Sequence, residues 1–314
     1  MIQNKKIIFI APSYFNYHEL IIENLEKNGF SVDFLEDINS GFLYTLFSKS
    51  AFVFKKYKES FQKKALSKLK NGNYDLMIVI GGKAFDLEFW SYIKDKYDFK
   101  KILYQWDSLK NFDYRGMSHF FDVVKTFDSV DAKNQEIVYL PLFYKGKIDS
   151  YVDEDIDLLF IGIWHSDRIE ILNKITEYAN VNNLKFCFKV YYPRYMYLYL
   201  VYVKKCMMPS NFFIFKTVST ELMTNYYQRA KCIIDINHPD QSGLTMRTIE
   251  TIGRGKKLIT TNSHIKQESF YNDKMIQVID RENIVLNNGF FELKEDYNNI
   301  ERLEISNWIN ELLK

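Results

Sequence analysis

The chain has 314 residues, a net charge of +2, and 47% hydrophobic and 26% charged residues. This composition is typical of a globular protein, and the length predicts two domains. So small a net charge does not predict general nucleic-acid binding. The cysteines, Cys187, Cys206 and Cys232, are far apart and form no CxxC pair. They therefore predict neither a disulfide framework nor a zinc site, and favour a reducing compartment. We also expect no signal peptide and no membrane-spanning segment, since every apolar run is too short.

Short apolar runs alternate with longer amphipathic runs in the first half of the chain. Strands are predicted over residues 6–11, 31–35, 75–80, 101–106, 122–127 and 137–140. Helices are predicted over residues 18–28 and 43–69, and from the Gly81-Gly82-Lys83 turn to Tyr97. Gly29 is placed where the first helix should end. Strands that alternate with helices form parallel sheets covered on both faces, so this half predicts one doubly wound sheet.

The charged stretch KGKIDSYVDE, residues 145–154, predicts a linker, after which the alternation restarts. Strands are expected over residues 158–163, 185–191, 212–218, 232–236, 257–261 and 275–279. Helices are expected over residues 167–180, 195–203, 221–230 and 305–313, with further helices beginning near Thr245 and before the last strand. The predicted fold is therefore α/β, with two doubly wound Rossmann-like domains facing across a cleft. Their bounds are 1–148 and 149–314, and the last helix is expected to pack back on the first domain.

The aromatic run YMYLYLVYV, residues 195–203, lies between Arg194 and Lys204-Lys205. A helix so rich in apolar residues is expected to be buried, with its basic ends reaching solvent. The alternative is a surface that touches a lipid headgroup or a lipid-linked acceptor, because interfacial segments combine basic and aromatic residues in this way.

The loops that follow strands are the expected place for chemistry. In parallel sheets, ligands bind outside the carboxyl ends of the strands, where helix N-termini point. Glycines in these loops, such as Gly162 and Gly243, mark places where the backbone passes close to another group.

The segment DINHPDQSGLTMRTIETIGRGKKLITTN, residues 235–262, has the strongest pattern of this kind. A helix that begins near Thr245 offers free N–H groups to a phosphate, and Arg247 adds a permanent positive charge. Glu250 could accept hydrogen bonds from a ribose diol. The alternative is an ion pair between Arg247 and Glu250 on one helix face, which needs no ligand.

The same segment resembles the donor-nucleotide motif of GT-B glycosyltransferases, in which a glycine, a glutamate and a second glycine precede an apolar strand. Here these are Gly243, Glu250 and Gly255. With LLFIGIWHSDR (158–168) and ILYQWDS (102–108), the pattern is similar to the CgeB-like group, known from spore proteins and bacterial polysaccharide loci. Ser242 stands where many retaining enzymes of this architecture carry another glutamate, so the resemblance leaves the stereochemical outcome open.

The resemblance implies a donor site in the second domain that binds a nucleotide-sugar. Glu250 would bind the ribose, and Arg247 would neutralise the diphosphate. The other implied donor contacts are Gly162, Arg168, His238, Gly243, Leu244 and Thr245. Arg168 could equally be a cation on a helix surface, and His238 an ordinary solvent-facing histidine. No metal and no cofactor are expected, since the D-x-D spacing in DEDID (153–157) is placed at the linker as solvated charge.

A catalytic base for the acceptor hydroxyl is expected from the first domain. Asp107, at a strand end, and His18, at a helix start, are the candidates. A capping aspartate and a surface histidine are the alternatives. Tyr14, Lys83 and Trp106 are placed to shape an acceptor site.

The sequence thus predicts a metal-independent glycosyltransferase of the hexosyltransferase type. It would transfer a sugar from a nucleotide-diphosphate-sugar to a glycan or lipid-linked acceptor in bacterial surface polysaccharide synthesis. We expect it in the cytoplasm, at the inner face of the membrane, with peripheral membrane contact and no nucleic-acid partner. A nucleotide-sugar epimerase and a non-catalytic glycosyltransferase-like protein are the alternatives. A two-lobed solute-binding protein is disfavoured by the arginine–glutamate motif.

Overall fold

The computed structural model describes residues 5–13, 16–38, 50–146, 152–203, 205, 210–292 and 295–314. The chain divides into two compact units. The first comprises Met1–Lys145 together with Arg302–Lys314, and the second comprises Gly146–Glu301. The predicted boundary between residues 148 and 149 lies outside the described residues.

The first unit contains, within the described residues, a six-stranded sheet in which every pairing is parallel. Its strands are β1 (Lys6–Ala11), β2 (Ser31–Glu36), β3 (Leu76–Ile80), β4 (Lys100–Gln105), β5 (Val123–Thr126) and β6 (Val138–Tyr139). Their spatial order is β2-β1-β3-β4-β5-β6. The chain reverses its direction of winding between β1 and β3, and ligands of such sheets bind at this kind of switch point.

The helices of the first unit follow its strands. They are α1 (Tyr17–Lys27), α2 (Ala51–Asn71), α3 (Leu87–Lys96), α4 (Arg115–Ser118) and α5 (Ser129–Gln135). Gly29 has a φ of 84°, a conformation that glycine adopts without strain, and this explains the chain reversal after α1. The predicted helix over 43–69 begins at Ala51 in the described part of the chain, and residues 39–49 lie outside it.

The C-terminal helix, α10 (Ile305–Leu313), packs on the first unit. Trp308 has no exposed surface, and its ring contacts those of Tyr104 and Phe143 at centroid distances of 5.1 and 4.7 Å. Its indole N–H donates to the carbonyl of Pro141 at 2.7 Å. The apolar residues of α10 therefore complete the core of the first unit.

The second unit also contains, in the described residues, a six-stranded parallel sheet. Its strands are β7 (Ile156–Ile163), β8 (Phe186–Tyr191), β9 (Phe213–Ile214), β10 (Ala230–Asp235), β11 (Lys257–Thr260) and β12 (Ile276–Val278). The spatial order β9-β8-β7-β10-β11-β12 is the 3-2-1-4-5-6 order of a Rossmann fold. Its switch point lies between β7 and β10, so both sheets confirm the predicted α/β fold.

The helices of the second unit are α6 (Arg168–Val181), α7 (Arg194–Leu198), α8 (Thr220–Arg229) and α9 (Met246–Gly253). Two predicted elements are shorter than expected. The strand over 212–218 is reduced to Phe213–Ile214, and a 3-10 turn, Ser263–Gln267, replaces a helix before β12. The side chain of Asn262 caps the start of that turn. A cap of this kind satisfies N–H groups of the first turn only, so it does not by itself extend the turn into a helix.

The aromatic run is not the buried helix that its composition predicts. It forms α7 and a continuing π-helical turn, Tyr199–Val203, and Tyr195, Tyr199 and Tyr202 are 67%, 50% and 74% exposed. Composition alone misleads here because only part of the apolar surface of this helix faces the core. In the described part of the chain, no helix combines the length and apolar character needed to cross a membrane.

Candidate functional site

The loops after β7 and β10 diverge at the switch point of the second sheet. Together with α9 and the loop after β12, they bring together titratable residues that are distant in sequence; Asp167 and Arg281, for example, are 114 positions apart. The residues concerned are His165, Asp167, Arg168, Asp235, His238, Arg247 and Arg281. The three arginines exceed the two aspartates that pair with them, Asp235 and Asp167, while Asp240 lies 3.7 Å from His238 at the exposed margin. The inner part of the cluster therefore has an excess of positive charge, which suits an anionic ligand.

Asp235, the last residue of β10, organises the site although the sequence analysis did not single it out. Its carboxylate has no exposed surface and accepts hydrogen bonds from the hydroxyls of Thr245 (2.8 Å) and Thr248 (2.7 Å). It also pairs with the guanidinium of Arg247 at 2.7 Å. A buried carboxylate requires such partners, and these three tie the start of α9 to the end of β10.

Arg247 lies flat against the sheet instead of extending from the helix. One terminal nitrogen pairs with Asp235, the other donates to the carbonyl of Ile161 at 2.7 Å, and the guanidinium lies 4.9 Å from the ring centroid of Phe160. Burial opposes the charge, but Asp235 and Tyr227 together outweigh it and raise the pKa of Arg247. The ion pair of Arg247 is thus with Asp235, whereas Glu250 pairs with Arg254 at 3.6 Å.

A steric requirement that the sequence did not reveal explains the glycine at position 162. A Cβ at this position would lie 2.7 Å from the Nη2 atom of Arg247 and 3.0 Å from the ring of Phe160. Gly162 therefore leaves room for the guanidinium of Arg247. That guanidinium covers the part of β7 that a ligand was expected to approach.

Arg168 is buried, 6% exposed, and is not the surface cation that was the alternative to a ligand contact. It donates from Nε and Nη2 to the carbonyl of Ile236, and from Nη1 to the carbonyl of Ile163. Burial and the nearby Arg247 lower the pKa of the Arg168 guanidinium. An arginine remains charged in proteins, so the two neighbouring cations would be stabilised by an added anion.

Arg281, which follows β12, holds three loops of this edge together. It binds both carboxylate oxygens of Asp167 at 2.7 and 2.8 Å, the side-chain and backbone oxygens of Asn237, and the hydroxyl of Thr261. Nothing in the local sequence around Arg281 indicated this role, because its partners lie 20 to 114 residues away.

His165 and His238 lie together at the exposed margin of the cluster. Their ring centroids are 5.4 Å apart, and Nδ1 of His165 lies 2.9 Å from the hydroxyl of Ser166. Burial, followed by the charges of Arg168, His238 and Arg247, lowers the pKa of His165 to about 4. His238 was a predicted donor contact, whereas His165 was not among the predicted site residues. Its proximity in sequence to Arg168, a predicted donor contact, could have indicated it.

The predicted donor residues around α9 lie at its N-terminus. Thr245 is the N-cap, and its hydroxyl accepts from the N–H of Thr248 at 3.1 Å. The first-turn N–H groups of Met246 and Arg247 have no acceptor within the helix and are oriented toward the space beyond its start. Leu244 is buried, and the carbonyl of Gly243 accepts from the side chain of Gln241.

Glu250 lies on the second turn of the same helix, and its side chain is 22% exposed. It is therefore accessible, unlike Asp235. Its pairing with Arg254 is a partly exposed contact between residues four apart, which stabilises a helix only slightly.

The first unit has a similar glycine loop, but its own side chain occupies it. The carboxylate of Asp37, 1% exposed, accepts from the backbone N–H groups of Gly82, Lys83 and Ala84 at 2.7, 3.0 and 2.8 Å. Successive N–H groups of this kind form an anion-binding concavity. Because Asp37 accepts from these N–H groups, they are not available to a phosphate.

The two candidates for a catalytic base lie at the same edge of the first sheet. Asp107 is not a helix cap: it pairs with the ammonium of Lys83 at 2.6 Å, and the two side chains are 30% and 19% exposed. His18 stacks on Phe34 at 4.9 Å, and its Nδ1 is buried without a hydrogen-bond partner among the described residues. Trp106 is partly buried, and Tyr14 lies outside the described residues.

Among the described residues, no group of three histidine, cysteine or acidic side chains is arranged to hold a metal ion. The acidic stretch at the start of the second unit forms surface ion pairs instead. Asp155 binds Arg229 at 2.5 Å and Asp157 binds Lys231 at 2.8 Å.

No family model matches the chain, and no curated protein matches it. Among solved structures, it is similar to the lipopolysaccharide outer core galactosyltransferase WaaB in its apo form, with 11% identity, a TM-score of 0.51, and coverage of 98% of this chain and 99% of the other. It is similar to sucrose-phosphate synthase from Thermosynechococcus elongatus, with 13% identity, a TM-score of 0.55, and coverage of 89% and 86%. The glycotransferase of kitacinnamycin gives 11% identity, a TM-score of 0.50, and coverage of 99% and 95%.

At these identities the comparisons establish the fold. The two Rossmann-like parallel sheets are those of the GT-B class, and the alignments extend over nearly the whole chain.

Proposed function

We propose that this protein is a glycosyltransferase of the CgeB-like group that uses a nucleotide-diphosphate-sugar donor. The observation that carries the proposal is the cationic edge of the second sheet, where the start of α9 adjoins Arg168, Arg247 and the histidine pair. A diphosphate is stabilised by helix N–H groups and positive charge without a metal ion.

The first unit is the less suitable place for the donor. Its only comparable anion-binding loop, within the described residues, is filled by Asp37. The donor is therefore assigned to the second unit, and the first unit is left for the acceptor.

Within the donor site, Glu250 is assigned to the ribose and the first-turn N–H groups of α9 to the diphosphate. His165 and His238 are assigned to the outer phosphate or the sugar, because they form the accessible margin of the cluster. Arg247 and Arg168 act mainly through their field, since their nitrogens already bind Asp235 and backbone carbonyls. Gly162, Leu244 and Gly243 maintain the shape of the site.

The acceptor hydroxyl requires a base if the reaction inverts the anomeric centre. Asp107 is the first candidate because Lys83 holds its carboxylate in one orientation, and His18 is the second. Lys83, whose ammonium also lies 5.5 Å from the ring of Phe112, is assigned to the acceptor side.

The finer assignments extend the same proposal. The enzyme is a hexosyltransferase that needs no metal and no cofactor, and its acceptor is a glycan or lipid-linked sugar of bacterial surface polysaccharide. It acts in the cytoplasm at the inner face of the membrane.

Nucleotide binding tests the proposal directly. A nucleoside diphosphate that binds only the folded state must raise the melting temperature. We expect such a shift for one diphosphate of a panel of uridine, guanosine, adenosine and thymidine nucleotides. Glu250→Gln should weaken that binding by roughly 10-fold or more, because a charged acceptor of hydrogen bonds is lost.

The matched control is Glu177→Gln, an exposed glutamate on α6. It should leave both binding and melting temperature unchanged. Absence of any nucleotide-dependent shift, or equal losses in the two variants, would contradict the donor site. Binding without hydrolysis or transfer of a nucleotide-sugar, in wild type and Asp107→Asn alike, would favour a non-catalytic protein.

A further inference from the structure

The outward surface of α7 and the π-helical turn after it is apolar and aromatic where a solvent-exposed helix would normally carry charge. Residues 195–203 contain no charged side chain. The exposed side chains on this segment are Tyr195, Met196, Leu198, Tyr199, Tyr202 and Val203, from 39% to 74% accessible. We call this set the aromatic surface.

The segment is anchored from beneath, so its exposure is part of a defined packing. Tyr197 packs its ring against Phe213 and Phe215 at centroid distances of 5.2 Å each, and Leu200 packs against the core of the second unit. The helix therefore has an inward apolar face and an outward apolar face, and the outward face has no partner of its own among the described residues.

The charge around the aromatic surface is of one sign. Residues 178–220 contain no aspartate or glutamate. They contain six basic residues, Lys185, Lys189, Arg194, Lys204, Lys205 and Lys216. Lys205 and Lys216 are exposed, and the guanidinium of Arg194 lies 6.0 Å from the ring centroid of Phe215.

We infer that the aromatic surface binds an anionic lipid bilayer, lying in the headgroup region with its basic flanks on the phosphates. Tyrosine suits this layer because its ring is apolar and its hydroxyl remains hydrated. Ten residues of helix extend about 15 Å, half of what a bilayer requires, so the segment lies on the membrane and does not cross it. An anionic surface also accounts for the missing acidic residues, which a purely hydrophobic protein partner would not require.

The location of this surface relates it to the candidate site. The aromatic helix follows β8, and the donor loops follow β7 and β10, so all of them start from the same carboxyl edge of one parallel sheet. An acceptor held at a membrane would then be presented to the edge that bears the donor site. The lipid-binding inference itself does not depend on the proposed sugar transfer.

Vesicle co-sedimentation tests the inference with the full chain. We expect binding to vesicles of mixed phosphatidylglycerol and phosphatidylcholine, little binding to phosphatidylcholine alone, and weaker binding at high salt. Tyr199→Ser with Tyr202→Ser should lower the partition coefficient by about tenfold or more, since two interfacial rings are lost. Lys205→Glu with Lys216→Glu should lower it on anionic vesicles at an unchanged melting temperature.

The matched control is Phe52→Ser with Val53→Ser on α2, where Phe52 and Val53 are also exposed, at 67% and 41%, beside lysines. These substitutions should leave vesicle binding intact. The inference is overturned if the substitutions on α2 abolish vesicle binding and the tyrosine substitutions do not, or if the wild type does not bind anionic vesicles. It is also overturned if the variant with Tyr199→Ser and Tyr202→Ser still binds vesicles but no longer self-associates in light scattering. A second copy of the chain would then be what covers the aromatic surface.

Discussion

Asp235 and Arg247 form the buried ion pair on which the candidate site depends. Asp235 has no exposed surface, and the side chain of Arg247 is 15% exposed, so either residue left alone is a charge without a counterion. Removing one partner of such a pair costs about 3–5 kcal/mol, largely because the other remains buried. The pair thus keeps α9 fixed on the sheet and also limits how far Arg247 can move toward a ligand.

A double-mutant cycle should reveal this coupling. We expect Asp235→Asn and Arg247→Met each to lower the free energy of unfolding by about 3 kcal/mol or more. The double variant should lose at least 1 kcal/mol less than the sum of the two, as residues in one network do. Urea unfolding measures all three values, and additive losses would show that the two residues contribute independently.

His165 should make the stability depend on pH. Its pKa is about 4 in the folded protein, below the ordinary histidine value of 6.5, so between these values the unfolded chain binds the proton first. The stabilisation is therefore complete above about pH 6.5 and is lost as the pH falls toward 4. Because the ring is half exposed, we expect solvent screening to limit the loss to on the order of 1 kcal/mol.

The comparison of two histidine variants tests this dependence. His165→Asn should flatten the fall in stability between pH 6.5 and 4, whereas His119→Asn, at an exposed histidine of the first unit, should retain it. Equal pH profiles for both would mean that other groups produce the dependence. A bound nucleoside diphosphate should raise the His165 pKa, and an NMR titration of the ring would measure that rise.

At the scale of the elements, β7 and α9 depend on one another through a single missing side chain. Gly162 leaves the space that the guanidinium of Arg247 occupies above Phe160. Strand, helix and aromatic ring thus form one packed unit, which explains why a glycine stands in a strand whose neighbours are large and apolar.

Gly162→Ala should therefore destabilise the second unit by about 1–3 kcal/mol, as overpacking of a well-filled site does. Gly116→Ala is the matched control, because its added Cβ would lie 3.7 Å from Leu87, an ordinary contact. It should change stability by less than about 0.5 kcal/mol or increase it slightly. In a protein that already carries Arg247→Met, Gly162→Ala should lower the free energy of unfolding by less than it does in the wild type. An equal loss in the two backgrounds would exclude the steric explanation.

At the scale of the whole molecule, the chain ends in the unit where it began. The apolar side of α10 is buried against the first unit, and Lys125 donates to the carbonyl of Glu311 in this helix. The first unit therefore cannot complete its core until the second unit and its last segment have been synthesised.

Trp308→Ala should lower the stability of the first unit by about 3–5 kcal/mol, the usual cost of deleting a buried aromatic ring. Calorimetry should show this as a lower unfolding temperature for one of two transitions. Leu172→Ala, in the core of the second unit, should lower the other transition. If the transition of the first unit is unchanged in Trp308→Ala, then α10 contributes little to the stability of that core.

The alternation of apolar and amphipathic runs was enough to predict both parallel sheets, and the predicted C-terminal helix, residues 305–313, coincides with the observed one. Likewise, Thr245 was correctly expected to start a helix, because capping chemistry is local. The assignment of donor and acceptor residues stays a prediction, since the structure places these residues without testing their roles.

Partners distant in sequence were decided only by the tertiary structure. The sequence places Arg247 near Glu250, but the fold brings it to Asp235, twelve residues away, and to Ile161, eighty-six residues away. For Arg168 the sequence left open a donor contact or a cation on a helix surface, and packing buried its guanidinium among carbonyls at two strand ends. Local patterns determine where helices and strands form, because their hydrogen bonds and caps are local. Which charges meet, and which apolar face stays exposed, depends on strand order and on the packing of the whole sheet.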